Sequence, residues 1–170
     1  MSENSNSSQA ESRPQGRVLV SREITMNATP ATVRTYIRDL HEWESWSPWQ
    51  EINPAMQQTY FGAEAGTGAG MQWSGDKKAG AGRMVVVTDE ELLVEVDIEF
   101  LKPFKAKNRS HFRITPIPGP ETTTRVTWEM TGKQSLLMRV LFTLMRLKKG
   151  ISQDFDRGLE SLKSVVESSN

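Results

Sequence analysis

Residues 134–167 read QSLLMRVLFTLMRLKKGISQDFDRGLESLKSVVE, and this stretch decides the fold. Its apolar residues recur at steps of three, four and seven, the spacing of one helical face: Leu137, Leu141, Leu144, Ile151, Phe155, Leu159, Leu162 and Val166. Ser135 can cap the first turn, and an unbroken helix would extend about 50 Å. Gly150 is the position at which it could bend or break, at a cost of about 1 kcal/mol relative to alanine. We predict one long C-terminal helix, which needs an apolar surface to pack against.

The segments upstream alternate apolar and polar residues, which is the pattern of strands with one buried face. The first predicted strand starts at Arg17, and its inward side consists of Val18, Val20, Ile24 and Met26. Thr29 and Pro30 then mark a helix start, because Thr29 can accept a backbone N–H and Pro30 lacks one. The buried stripe of that helix is Val33, Tyr36, Ile37 and Leu40. Further strands are predicted at 71–74, 83–88 and 122–132, so a sheet is expected to wrap around the long helix, with a cavity between them.

The clearest predicted hairpin covers residues 92–117, with its turn at Pro103. The antiparallel register then pairs three acidic residues with three basic ones on the outer face: Glu99 with Lys107, Asp97 with Arg109, and Glu95 with His111. We expect this ladder of charges to face solvent. The same register places Asn108 opposite Ile98 and Ser110 opposite Val96 on the inner face. Two polar groups on an apolar face need partners, which are each other, water or a ligand.

Composition restricts the class of protein. The 170 residues suit one domain, and 21 basic residues balance 21 acidic ones, so nothing favours nucleic acid as a partner. There is no cysteine, no signal peptide and no apolar run long enough to span a membrane. We therefore expect a soluble cytoplasmic protein. Residues 1–16 lack aromatic and β-branched residues and are predicted to be a disordered tail before a single domain at 17–167.

Catalytic and metal-binding motifs were sought without success. His41 and His111 are the only histidines and do not form a zinc-binding pair, and no Gly-x-Ser-x-Gly motif exists. The glycine-rich stretch 60–82 matches neither phosphate-binding template and suits hairpin turns instead. We predict no catalytic residue, no metal and no cofactor. An enzyme that only orients a carbonyl, through Asn108, Ser110 or Tyr60, stays open.

Large aromatic and methionine side chains are abundant, and methionine adapts to irregular apolar ligands. Three tryptophans at steps of three, Trp43, Trp46 and Trp49, either plug one end of the core or form the mouth of a pocket. A well-filled core is the alternative to a cavity for the whole set. The residues predicted to line a ligand cavity are Trp46, Trp49, Tyr60, Met71, Trp73, Met84, Ile98, Phe100, Asn108, Ser110, Phe112, Trp128, Met130, Phe142, Met145 and Phe155.

A series of motifs spaced along residues 17–167 is similar to a known family. They read Ile24-x3-Ala28-x-Pro30-x2-Val33, Trp43-x2-Trp46-Ser47-Pro48-Trp49, Tyr60-x-Gly62-x3-Gly66-x-Gly68-Ala69, Trp73-Ser74-Gly75, Gly80-x-Gly82-x-Met84, Phe100-x2-Pro103-Phe104, Val126-x-Trp128-x-Met130-x-Gly132 and Asp154-Phe155-x2-Gly158-Leu159-x2-Leu162-Lys163. In order and spacing they resemble the START-like superfamily, also called SRPBCC, and within it the polyketide cyclase/dehydrase group. The resemblance implies an α+β helix-grip fold, START-like and Bet v 1-like, in which a curved antiparallel sheet of six or seven strands grips the long C-terminal helix around an apolar cavity. Similar proteins carry lipids, bind hormones or quinones, or cyclise polyketides.

Three functions are therefore carried forward in order of preference. The first is binding or transport of a hydrophobic small molecule, such as a lipid, an isoprenoid or a polyketide-like compound, without covalent catalysis. The second is a cyclase or dehydrase that orients proton transfer on a polyketide-like substrate. The third is docking on a membrane or a partner through residues 136–149, which are apolar nearly all round. Fold alone does not choose among them.

Overall fold

The computed structural model describes residues 16–77, 79–119, 122–132 and 147–169. Seven strands in these ranges form one antiparallel sheet in the order β1-β7-β6-β5-β4-β3-β2. Their bounds are β1 Arg17–Met26, β2 Gln57–Gly62, β3 Ala69–Ser74, β4 Ala81–Glu90, β5 Leu93–Lys102, β6 Ala106–Ile117 and β7 Thr123–Gly132. Consecutive strands from β2 to β7 are neighbours, and β1 pairs with β7. The predicted curved antiparallel sheet with a C-terminal helix is confirmed.

The first helical elements lie between β1 and β2. Helix α1 is Pro30–Arg38, a short 3-10 helix is Glu42–Ser45, and α2 is Pro48–Ile52. The side chain of Thr29 accepts the backbone N–H of Thr32 at 3.0 Å, so the predicted cap of α1 is confirmed. Val33 and Ile37 of α1 are fully buried, and the helix therefore covers one end of the sheet.

The C-terminal helix, α3, is described over Leu147–Ser168. It continues through Gly150 without interruption, whereas residues 134–146, including the proposed cap at Ser135, lie outside the described residues. The predicted stripe of its second half is confirmed, since four residues are fully buried: Phe155, Leu159, Leu162 and Val166. The Nζ of Lys163 donates to the carbonyl of Thr25 at 2.9 Å, which fastens α3 to the end of β1.

The register of the β5–β6 hairpin agrees with the sequence prediction at every pair named above. Glu99 faces Lys107, and Glu95 faces His111. The expectation that the whole ladder faces solvent is wrong for His111, which is buried on the outer face. Its Nδ1 lies 2.7 Å from Glu95 and its Nε2 lies 2.9 Å from the hydroxyl of Thr131. Both ring nitrogens have partners, and this offsets the cost of burying an imidazole.

Two further predictions need correction. Val18 is 45% exposed instead of inward, because a β-bulge between Val18 and Val20 moves it to the outer side of β1. Strand β2 was not predicted at all. Its side chains are exposed or half-buried, as expected of an edge strand, so it lacks the clear alternation that identifies the other strands.

Candidate functional site

The centre of the domain is a cluster of aromatic rings on β6, β7, α3 and the segment before α2. Trp128 stacks on Phe155 with ring centroids 3.9 Å apart, and on Phe112 at 5.0 Å. Trp46 meets Phe112 and Trp128 edge-on, at 6.1 and 5.8 Å. All four side chains are buried. These four predicted cavity residues therefore pack against one another, as rings in a filled core do.

Ser110, the polar residue predicted on the inner face, belongs to the same cluster. It is fully buried, and its hydroxyl accepts the indole N–H of Trp128 at 3.1 Å. The partner that the sequence left open is therefore a core tryptophan. Ser110 satisfies a donor that burial would otherwise leave without a hydrogen bond.

The three tryptophans before β2 divide between the two predicted roles. Trp43 and Trp46 are buried, and their ring centroids are 4.8 Å apart across one turn of the 3-10 helix. Their indole N–H groups donate to the carbonyls of Ile37 and Tyr36, at 2.9 and 3.0 Å. These two rings close one end of the core. Trp49 is only half-buried and faces a cavity.

That cavity lies between the concave face of β2–β5 and the segment that carries Trp43 and Trp49. Room for the centres of water-sized molecules amounts to about 40 Å³, and all empty space out to the open mouth to about 490 Å³. The described residues that line it are Trp43, Ser47, Trp49, Met56, Gln58, Met71, Trp73, Ala79, Met84, Ile98 and Phe100. Nine of these eleven have apolar or indole side chains, so the cavity suits an apolar molecule.

No titratable side chain is among these described lining residues, and only Ser47 and Gln58 add a hydroxyl or an amide. The amide of Gln58 is held from two sides. Its Nε2 donates to Oε1 of Gln50 at 2.9 Å, and its Oε1 lies 2.9 Å from the hydroxyl of Tyr60. Each of these bonds uses one of several sites, because an amide has two hydrogens and a carbonyl oxygen with two lone pairs. Gln58 can therefore give or accept one further hydrogen bond.

Tyr60, also predicted to line the cavity, lies beside it on the outside. Its ring stacks on His41 with centroids 3.9 Å apart, and its hydroxyl also reaches Glu44 at 2.9 Å. Burial and the carboxylate of Glu44 raise the pKa of the phenol. Tyr60 therefore stays protonated at neutral pH and acts as a hydrogen-bond donor that helps to orient Gln58.

The other predicted cavity residues are placed as follows. Asn108 is half-buried and lines a separate, more polar depression with Arg83, Lys107 and Arg109. Met130 is buried in the core. Phe142 and Met145 lie outside the described residues. The predicted residues that the structure brings together around the cavity are Trp49, Met71, Trp73, Met84, Ile98 and Phe100.

Sequence reasoning missed four lining residues: Ser47, Met56, Gln58 and Ala79. A signal existed only for Met56, since methionine is frequent at adaptable apolar surfaces. Gln58 lies on the strand that was not recognised. Ala79 reaches the cavity because the loop between β3 and β4 folds back, and its carbonyl accepts the indole N–H of Trp73 at 3.2 Å.

A second polar cluster occupies the outer face around Glu95. Thr88 donates to Glu95 at 2.6 Å, and Arg109 lies 4.0 Å from the same carboxylate. Burial acts to raise the pKa of Glu95, but the hydrogen bonds from Thr88 and His111 and the charge of Arg109 outweigh it and lower the pKa below its ordinary value. This cluster lies on the face of the sheet opposite the cavity, and its bonds join β4, β5, β6 and β7.

Neither a metal centre nor a membrane-spanning helix is found in the described ranges. No group of three or more His, Asp or Glu side chains there is arranged to hold a metal ion. No helix in this part of the chain is long and apolar enough to cross a bilayer. The predicted cytoplasmic location stays a prediction, as does the disordered tail, because residues 1–15 lie outside the described ranges.

Comparison with known proteins agrees with this architecture. The model of a family described as polyketide cyclase / dehydrase and lipid transport matches residues 17–167. Protein MLL2253 from Mesorhizobium loti is 18% identical, with a TM-score of 0.65 over 91% of this chain and 99% of that one. A START superfamily protein from Mycobacterium smegmatis is 15% identical, with a TM-score of 0.54 over 89% and 98%. Ara h 8.0201 is 11% identical, with a TM-score of 0.55 over 88% and 97%.

At these identities the solved structures establish the fold and nothing finer. No curated protein matches the sequence significantly. The predicted START-like, helix-grip architecture is thus confirmed both by the family match and by structural neighbours.

Proposed function

The chain belongs to the polyketide cyclase/dehydrase and lipid transport family, and from that premise we propose that it binds one hydrophobic small molecule in the cavity beneath Trp49. Proteins of this fold typically bind ligands. The observation that carries the proposal is the lining of that cavity, in which three methionines and three tryptophans surround a space open to solvent. Burying the apolar surface of a ligand there is favourable by about 25 cal/mol per Å².

The size of the cavity is consistent with a ligand that opens it further. Sites for drug-sized molecules are about 300–1,000 Å³, which is far more than the 40 Å³ available to water-sized centres here. Met56, Met71 and Met84 line the cavity, and unbranched methionine changes rotamer at little cost. An apolar chain or ring is therefore expected to displace methionine side chains as it enters.

The polar groups of the lining favour an uncharged ligand. An ionised carboxylate would lose its hydration on entry, and no cation is among the described lining residues. A hydroxyl, ketone or ester can instead bond to the free hydrogen or lone pair of Gln58. We therefore propose a neutral molecule with an apolar body and one hydrogen-bonding end. The same absence of titratable groups around the described cavity is why binding is preferred to the cyclase or dehydrase alternative.

The test is to fill the cavity from its loop side. In Ala79→Trp the new ring would occupy space that the ligand needs, whereas Ala63→Trp adds the same ring to an exposed turn. Binding is followed with N-phenyl-1-naphthylamine, a neutral probe that fluoresces in apolar sites. We expect saturable binding by the parent protein and by Ala63→Trp, and at least tenfold weaker binding by Ala79→Trp. Equal affinity in all three proteins would overturn the proposed site.

A further inference from the structure

The turn between β5 and β6 combines exposed apolar residues with lysines. Residues 101–107 read LKPFKAK. Leu101 is 44% exposed and Phe104 is 55% exposed, and these two are among the few large apolar side chains that the described surface leaves open. Lys102, Lys105 and Lys107 alternate with them and are also exposed. We name residues 101–107 the basic tip.

A neighbouring loop adds to the positive charge of the basic tip. The loop between β3 and β4 approaches it so closely that a Cβ on Gly80 would lie 2.3 Å from the carbonyl oxygen of Lys102. That loop carries exposed Lys77. The acidic groups nearby already have partners: Glu99 binds Arg83 at 2.8 Å and Lys107 at 3.6 Å, and Asp76 accepts the N–H of Ala79 at 3.0 Å.

The opposite end of β5 has the reverse character. The turn between β4 and β5 contains Glu90, Glu91 and Leu92, all exposed, with Leu92 at 44%. The ten residues of β5 separate the two turns by about 30 Å at roughly 3.3 Å per residue. A chain with no net charge is therefore basic at one end of this strand and acidic at the other.

We propose that the basic tip docks on an anionic lipid bilayer, with Leu101 and Phe104 inserted among the lipids and the lysines at the headgroups. Apolar side chains on a turn can enter the interface, and each lysine close to an anionic surface strengthens binding about fivefold. The acidic turn at the far end would be repelled, so the charge distribution also orients the molecule. A partner protein offers no comparable reason for apolar and basic residues to alternate over seven positions.

Docking in this way would bring the cavity next to the membrane. Phe100 and Ala79 line the cavity, and they lie within a few residues of the basic tip and on the loop beside it. An apolar ligand could then pass between bilayer and cavity along a short path. This last step depends on the proposed ligand binding, whereas docking itself does not.

The experiment is flotation of the whole protein with vesicles, at low and high salt. The vesicles contain either phosphatidylcholine alone or phosphatidylcholine with about one third phosphatidylserine. Leu101→Ser/Phe104→Ser removes the apolar pair, Lys102→Gln/Lys105→Gln removes two charges, and Leu92→Ser is the matched control at the acidic end. All these side chains are exposed, so the variants should fold, and circular dichroism checks this.

We expect the parent protein and Leu92→Ser to bind the anionic vesicles equally and the neutral ones weakly. The apolar variant should bind about tenfold less, and the lysine variant about 25-fold less. Failure of the parent protein to bind at low salt would overturn the proposal and leave the basic tip to a soluble partner. Binding that is lost with salt but unchanged in Leu101→Ser/Phe104→Ser would overturn the insertion. Probe binding by the cavity, measured on the same proteins, reports the proposed ligand function separately.

Discussion

Gln58 shows how a single residue can set the chemistry of an otherwise apolar cavity. Its amide is oriented by Gln50 and Tyr60, and it is the only amide among the described residues of the lining. A ligand with one oxygen can therefore exchange a hydrogen bond with water for one with Gln58. Without that bond, the ligand's polar end would be buried at a cost of about 1–3 kcal/mol.

We predict that Gln58→Leu weakens binding of 1-decanol by about five- to tenfold, the equivalent of about 1 kcal/mol for one hydrogen bond. Binding of decane, which has no polar end, should be unchanged or slightly tighter. Displacement of N-phenyl-1-naphthylamine measures both affinities. Gln57→Leu is the control, because Gln57 is exposed on the same strand. An equal change for the alcohol and the hydrocarbon would show that Gln58 does not contact the polar end.

Glu95 provides a prediction about pH. Its pKa is below the ordinary value in the folded protein, so the carboxylate stabilises the fold above the unfolded pKa of about 4.3, and this contribution is lost as the pH falls further. In Glu95→Gln the contribution is absent at every pH. We expect that variant to be about 1–3 kcal/mol less stable at neutral pH, because His111 and Thr88 lose a charged partner.

The measurement is urea unfolding at several pH values between 7 and 3. The difference between the parent protein and Glu95→Gln should shrink as the pH falls below about 4.3. Glu23→Gln, at an exposed site on β1, should follow the parent protein throughout. A constant difference between parent and Glu95→Gln over the whole range would contradict the assignment of the lowered pKa.

At the scale of the elements, the aromatic residues fall into a core group and a cavity group. Trp128 is fully buried between Phe112 and Phe155, whereas Trp49 lines the cavity and is half-buried. We predict that Trp128→Ala costs about 3–5 kcal/mol of unfolding free energy. Trp49→Ala should cost clearly less but weaken probe binding several-fold.

Both quantities are obtained from urea unfolding and from titration with the neutral probe. Trp128→Phe serves as a milder variant in case Trp128→Ala does not fold, since it removes the donor to Ser110 and should still cost about 1–3 kcal/mol. If Trp49→Ala left probe binding unchanged, Trp49 would belong to the core group instead.

The elements that could be predicted are those whose own sequence carries a strong pattern. The β5–β6 register followed from Pro103 and strict alternation on both strands, and the cap of α1 followed from Thr29 and Pro30. Strand β2 could not be predicted, because an edge strand with only half-buried and exposed side chains needs little alternation. The position of Val18 could not be predicted either, since a bulge adds one residue without changing the composition.

The candidate site was predictable only in part for a different reason. Core and cavity use the same residue types here, so Trp128 and Trp73 are equivalent in sequence. Whether a ring fills space or borders it depends on distances between elements far apart in the chain, such as β7 and α3. Ser110 illustrates this point, because its partner Trp128 lies 18 positions away and the bond forms only when β6 and β7 pair.

At the scale of the whole molecule, the sheet and α3 close the core at one end, while the segment from Trp43 to Met56 covers the concave face at the other. The methionines mark this division. Met26 and Met130 are buried in the core, whereas Met56, Met71 and Met84 surround the cavity. A ligand in the cavity would therefore touch three of these five methyl groups and leave two alone.

The most direct test of ligand binding is nuclear magnetic resonance of the protein labelled with [13C-methyl]methionine, titrated with 1-decanol. We predict that the signals of Met56, Met71 and Met84 shift together and saturate at one molecule per chain, while those of Met26 and Met130 stay within a small fraction of that change. Shifts spread evenly over all five methyl groups, or no saturable shift at the three cavity methionines with any neutral apolar compound tested, would contradict the account.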